Sequence, residues 1–207
     1  MYTLYGSRGS GSAAVEAALE RARLPYREVR ASRWEADSAQ EELLRLNPLG
    51  QIPTLLLPDG GVLSESAAIL IHLGLEHPDS GLLPQEAAAR AQAIRGLVFI
   101  AANCYSAISI IDHPERWHAE PDTATGARVR QAARARLHQH WSVFADQFTP
   151  RLGTGEPAAL DLLASVVSRW SGARAHLRAQ RPDCLARLES TEAHPSVAAV
   201  FARHWPD

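Results

Sequence analysis

The sequence predicts an α/β N-terminal domain of order βαβαββα, built on a mixed four-stranded sheet, followed by an all-α C-terminal domain. Three observations predict it. Up to residue 77 the apolar pattern alternates between the strand period and the helix period, changing roughly every ten to fifteen positions. A short proline- and glycine-rich stretch, "PDSGLLPQ", comes next. Beyond it only helical periodicity is present.

Each element has a local reason. "YTLY" is a short strand, and Gly6 to Gly11 form a Ser/Gly loop. A helix begins at Ser12, places Val15, Ala18, Leu19 and Ala22 on one face, and stops at Pro25. "YREVR" (26–30) alternates as a strand, and the short helix over 39–46 ends at Asn47-Pro48, because a residue preceding proline is pushed out of the helical region. "IPTLLL" (52–57) is β-compatible, "PDGG" is a turn, "VLS" is a strand and 65–76 a helix. A strand–helix–strand crossover is parallel, whereas the tight turn from Pro58 to Gly61 imposes an antiparallel hairpin, so the sheet is mixed. This order is thioredoxin-like. The expected domains are 1–77, a linker at 78–85 and a helical domain over 86–207. Within the latter, helices are expected at 87–111, 126–148, 160–177 (the apolar central helix) and 196–204. The polar loop "DHPERWHAEPDTAT" joins the first two.

Composition excludes several classes of chemistry. The formal charge is −2 and no long run of one sign occurs, which argues against nucleic acid as a partner. All 21 cationic side chains are arginine, so lysine Schiff bases and the P-loop lysine are excluded. Cys104 and Cys184, the only cysteines, make no CxxC pair and are expected as small buried side chains. The nine histidines make no HExxH, and His138 and His140 point to different helix faces, so no metal is expected. "MYTLYGS" lacks a basic segment followed by an apolar one, and Leu97 to Ile111 falls short of the roughly 20 residues a membrane span requires. The expected setting is the cytoplasm, away from membranes.

Three short stretches could carry chemistry. In "LGQIPTL", Pro53 cannot donate to a ladder and belongs at a sheet edge, a strand start or a bulge. An open main chain at Ile52 could there accept an extended peptide by strand addition. In "LSES", serines at a helix start are ordinarily caps. The same helix end also attracts a carboxylate, with Ser66 adding a hydroxyl and Glu65 offering an acceptor for an ammonium group, a pair suited to an amino-acid head group. In "GSRGSGS", the serines could serve the turn and cap the helix, or one hydroxyl could favour a ligand thiolate beside a helix end.

Taken together, "LNPLGQIPTLLLPDGGVLSESAAILIHL" and "YTLYGS" resemble the N-terminal domain of cytosolic glutathione S-transferases of the bacterial type, beta-, zeta- or theta-like, and the helical remainder is similar to that family's second domain in length. The resemblance implies glutathione as co-substrate, a small hydrophobic electrophile and a homodimer. Ile52 would present its main chain to the cysteinyl part of glutathione beside a cis Pro53, Glu65 and Ser66 would hold the γ-glutamyl group, and Gln51 would reach the ligand's main chain. The family sets a serine, tyrosine or cysteine of the first loop against the thiol. Tyr5 belongs to the strand and the loop has no tyrosine; alignment with the family through the first helix puts Gly9 or Ser10 at the serine position, which implies Ser10, with Ser12 and then Ser7 as alternatives. Gly11 occupies the cysteine position of beta-like members. Asn103 and Tyr105 are candidates for the acceptor-substrate pocket. The family's central-helix capping box is half present, with Ala158 in place of the hydroxyl and Asp161 as the remaining partner. Glutathione conjugation is the expected activity. A glutathione-dependent isomerase or dehalogenase, and a non-catalytic carrier or stress and regulatory partner of the same fold, are the alternatives.

Overall fold

The computed structural model describes residues 1–118 and 122–206. Positions 119–121 of the expected polar loop, and the last residue, lie outside the described residues.

The sheet has the expected mixed topology. Strand β1 (Tyr2–Gly6) runs parallel to β2 (Tyr26–Arg30) and antiparallel to β3 (Thr54–Leu56), and β3 pairs antiparallel with β4 (Val62–Ser64), in the order β2-β1-β3-β4. The strand expected from Ile52 to Leu57 is shorter than its composition suggests. Thr54 pairs with both Tyr5 and Ser64, so β3 is an interior strand, and Pro53, which has no N–H to give to a ladder, stands ahead of it. Alternation along β1 sends Leu4 to the main core and Tyr5 to the opposite face, where it meets Ala31 and Leu43 of helix α2 (Gln40–Leu46).

Helix α1 (Ser12–Arg21) is buried at every position from Ser12 to Leu19, more than the single apolar face its sequence suggested. It is enclosed by the sheet, by α3 (Ser66–Glu76), and by two helices of the second domain, α7 (Ala159–Val167) and α10 (Ala198–His204). The connecting stretch is held down: Leu82 and Leu83 are buried, and the Leu82 carbonyl accepts the Ala159 N–H at 2.9 Å.

In the helical domain, α4 (Ala87–Phe99), a widened π-type turn (Ile100–Tyr105) and α5 (Ser106–Asp112) form one continuous helix. At 26 residues it is longer than the apolar segment anticipated from Leu97 to Ile111 and, by length and composition alone, could cross a membrane. In the fold it packs on α6 (Thr123–Phe148) and α7, turning Leu97, Ile100, Cys104, Ala107, Ile108 and Ile111 into the core. The central helix expected to reach Leu177 ends at Val167. Ser171 and Gly172 have φ of 55° and 82°, left-handed values that turn the chain into α8 (Ala173–Gln180). Helix α9 (Pro182–Ala193) precedes α10. At the start of α7, the Asp161 carboxylate accepts the Ala158 N–H at 2.7 Å, its half of the capping box, and also the Gly153 N–H at 2.8 Å, which ties the preceding turn to the helix. Cys104 and Cys184 are buried and unpaired. Arg130, expected to be solvated beside Arg134, donates to the Ile111 carbonyl at the end of α5.

Candidate functional site

The N-terminal ends of α1 and α3 and the entry to β3 meet at one place. The Ile52–Pro53 peptide bond is cis, and the Ile52 N–H and C=O have no hydrogen-bond partner among the described residues. Behind it, the Gln51 carbonyl accepts from the Thr54 hydroxyl at 2.8 Å and the Asn47 side-chain amide at 3.2 Å, which fixes the turn while the Gln51 side chain stays exposed. Glu65 has φ 65° and ψ 111°, a left-handed conformation unusual for a residue with a side chain. Such strain persists where the surroundings impose it, commonly at binding sites. Glu65 caps α3, its carbonyl accepting the Ile69 N–H at 3.0 Å, and the buried Ser66 is the first residue of the helix, its hydroxyl facing the Tyr105 phenol. Carboxylate, hydroxyl and helix end therefore stand together, as the "LSES" pattern anticipates.

The loop between β1 and α1 differs. Ser7, Ser10 and Ser12 are all buried. The Ser10 hydroxyl lies 2.8 Å from the Ser7 carbonyl and 2.8 Å from the Ser12 hydroxyl, which itself lies 3.1 Å from the Ser7 carbonyl. Each hydroxyl has one proton, so both protons are used within this triangle. The Ser7 hydroxyl donates to Glu35 at 2.9 Å. Ser10 also accepts the Ser12 N–H at 3.2 Å, capping α1 locally, whereas the Gly11 N–H has no partner among the described residues.

Tyr105 reaches this loop from the widened turn of the second domain. A Cβ at Gly11 would collide with the Tyr105 hydroxyl and would lie 3.4 Å from Ser66 Oγ and 3.5 Å from Pro53 Cδ. All four residues thus border one small space. The Tyr105 hydroxyl is enclosed and makes no close hydrogen bond among the described residues, the Ser66 hydroxyl being its polar neighbour, and its ring packs against Trp170 at 5.8 Å between centroids. Burial pushes its phenol up to about 12, opposed by the Ser66 hydroxyl and reinforced by Glu65, so it is a neutral donor. The Asn103 side chain donates to the Phe99 carbonyl of its own helix at 3.1 Å.

Two features escaped sequence reasoning. Trp170 has no motif, and the C-terminal helix tethers the first loop from a great distance in sequence. The Gly9 N–H donates to His204 Nδ1 at 3.1 Å, so Nε2 carries the imidazole proton and donates to Glu16 at 2.6 Å. Arg203 donates to the other Glu16 oxygen at 2.6 Å. Burial would raise Glu16, but the His204 and Arg203 hydrogen bonds outweigh it and hold the carboxyl below its ordinary value. Glu16, Glu28 and His204 have donor atoms within 4.8 Å of one another, a spacing that could suit a metal. Glu16 and His204 already engage each other, Arg203 and Gly9, and we describe the group as a tether.

A thioredoxin-type sheet with a cis-proline turn, an acid–hydroxyl pair at a helix end and a helical second domain define the glutathione transferase fold. Residues 12–75 match the family model of the glutathione S-transferase N-terminal domain. The uncharacterized GST-like protein YncG of Escherichia coli K12 is 40% identical over 119 residues, 56% of this chain and 57% of that protein. Glutathione S-transferase GstA of Escherichia coli O157:H7 is 29% identical over 113 residues, 53% of this chain and 56% of that protein. The chain thus spans little more than half the length of these curated relatives. A glutathione transferase homologue from Sulfitobacter, crystallised with bound glutathione, superposes with a TM-score of 0.79 at 26% identity, covering 97% of this chain and 96% of that one. The stretch from residue 12 to 75 is thus similar to the N-terminal domain of glutathione S-transferases, and the fold along both domains is like that of the Sulfitobacter glutathione transferase homologue.

Proposed function

We propose that this protein is a glutathione transferase that joins the sulfur of glutathione to small hydrophobic electrophiles. The carrying observation is the convergence of the unpaired Ile52 main chain with Glu65 and Ser66 at the end of α3. An extended γ-glutamyl peptide can pair with Ile52 by strand addition while its carboxylate meets Ser66 and the helix end, and its ammonium group meets Glu65. Its cysteinyl sulfur then falls toward the α1 end, where the helix dipole and the free Gly11 amide favour the thiolate. The thiol proton passes to solvent. The sulfur attacks an electrophilic carbon, the C–S bond forms, and a leaving group departs or, in addition to an activated double bond, a proton is taken from water. Holding both reactants in one cleft contributes the orientation. Tyr105 and Trp170 form the helical domain's side of that cleft.

The reading includes a cytoplasmic homodimer. The outward positions Ala91, Arg95, Val98, Ala102, Ser106 and Ser109 make a stripe of mostly small side chains along the long helix, suited to close packing with a second copy. Glutathione calorimetry on the whole protein, then conjugation assays across aryl halides, epoxides and enones, tests the activity. Saturable binding with thioether formation is expected. Binding without conjugation, but with turnover of a cis-enone or a haloalkane, would establish the isomerase or dehalogenase alternative instead. An absence of glutathione binding would overturn the proposal in favour of a partner protein.

A further inference from the structure

We propose that Tyr105, delivered by the helical domain, is the hydrogen-bond donor to the glutathione sulfur, in place of a serine of the first loop. The assignment rests on the glutathione reading above and adds the identity of the group that meets the reacting atom.

Four observations converge. The Tyr105 hydroxyl is enclosed and makes no close hydrogen bond among the described residues, and a buried hydroxyl left so is destabilising, a penalty that phenylalanine would avoid at the same packing. It reaches the spot where a side chain at Gly11 would begin, a spot 3.4 Å from Ser66 Oγ and 3.5 Å from Pro53 Cδ. The protons of Ser10 and Ser12 are spent on Ser7 and on each other, so neither can be offered outward while the loop keeps its shape. Gly11 carries no side chain, and the phenol fills the place where one would stand.

The widened turn is what aims the phenol. One extra residue per turn rotates everything after it by about 100° around the helix axis. The Asn103 carbonyl within it accepts from His140 Nδ1 of α6 at 3.0 Å, which anchors the distorted segment to the core. A neutral phenol beside a thiolate donates a hydrogen bond to charge, and the free Gly11 amide supplies a second donor from the opposite side.

The test compares the whole protein with Tyr105→Phe and Gly11→Ala. Glutathione affinity is measured by calorimetry, the ionisation of the bound thiol by its ultraviolet absorbance against pH, and the thermal midpoint in the absence of glutathione. For Tyr105→Phe the affinity stays within about threefold, and the bound thiol pKa rises by about one unit, with about a tenfold fall in kcat/KM near neutrality that recovers at alkaline pH. Its thermal midpoint does not fall, because the orphan hydroxyl is gone. Gly11→Ala displaces the phenol and moves the thiol titration in the same direction. A Tyr105→Phe protein that binds glutathione and titrates as the parent does, or loss of thiol acidity in Ser10→Ala alone, overturns the assignment. If the parent binds no glutathione, the assignment falls together with the reading it rests on.

Discussion

The two ends of the proposed glutathione site are built in opposite ways. The peptide-holding end lies in one stretch from Gln51 to Ser66, and its parts are a main-chain opening, a strained residue and a helix start. The sulfur end draws Gly11 from α1, Tyr105 from the second domain and, behind them, His204 and Arg203 from the last helix. The first end depends on local backbone conformation. The second depends on how two domains dock, so the same cleft combines a part that a motif specifies with a part that packing specifies.

If that division is correct, substitutions at the first end should alter affinity and those at the second should alter reactivity. The largest effect is expected from Ser66→Ala and Glu65→Gln. Each removes a hydrogen bond to a charged group worth about 1.5–3 kcal/mol, so calorimetry should show glutathione binding weaker by about tenfold to a hundredfold, with turnover at saturation little changed. A loss of turnover at unchanged affinity would show that the ends are not separable.

Next comes Asp161→Ala. It leaves the Ala158 and Gly153 amides unpaired under α7, which supports α1, and should lower stability to urea by about 1–3 kcal/mol. Its effect on glutathione binding at low temperature should be small. The third is Gly11→Ala, for which kcat/KM should fall about tenfold, the effect of roughly one unit in thiol pKa, while affinity stays within about threefold. Retained affinity with lost turnover would sharpen the contrast with Ser66.

The smallest effect concerns pH. The folded pKa of Glu16 lies below its ordinary value of 4.5, so the stability contributed by the Glu16–His204–Arg203 tether is present above that value and is lost as pH falls through the folded pKa. Thermal melting followed between neutral pH and the acid range should therefore show a destabilising limb that Glu16→Gln reduces. If parent and variant have parallel acid limbs, the tether does not govern the stability of the sulfur end.

Much of this was legible in the chain. The mixed sheet follows from the crossover spacing and the Pro58 to Gly61 turn, both local. The Ile52–Pro53 and Glu65–Ser66 positions stand out because proline ahead of a strand and serine at a helix start each have few physical uses. The extent of β3 and the break after Val167 were not legible, since apolar strings do not say where pairing or packing stops, whereas the long helix was read to within a residue of its end. Tyr105 and Asn103 show the limit most directly. Two residues apart in one apolar helix, they have different neighbours: the phenol lies against Gly11, whereas the amide bonds the Phe99 carbonyl of its own helix.

The sequence by itself determined the order of elements, the cis-proline turn's position and the acid–hydroxyl pair, because each is set by the covalent preferences and hydrogen-bonding groups of neighbouring residues. Only the tertiary structure decided which hydroxyls come together beside Gly11. Ser10 and Ser12 satisfy each other and the Ser7 carbonyl, and the Tyr105 hydroxyl arrives from a helix whose direction depends on the docking of the second domain.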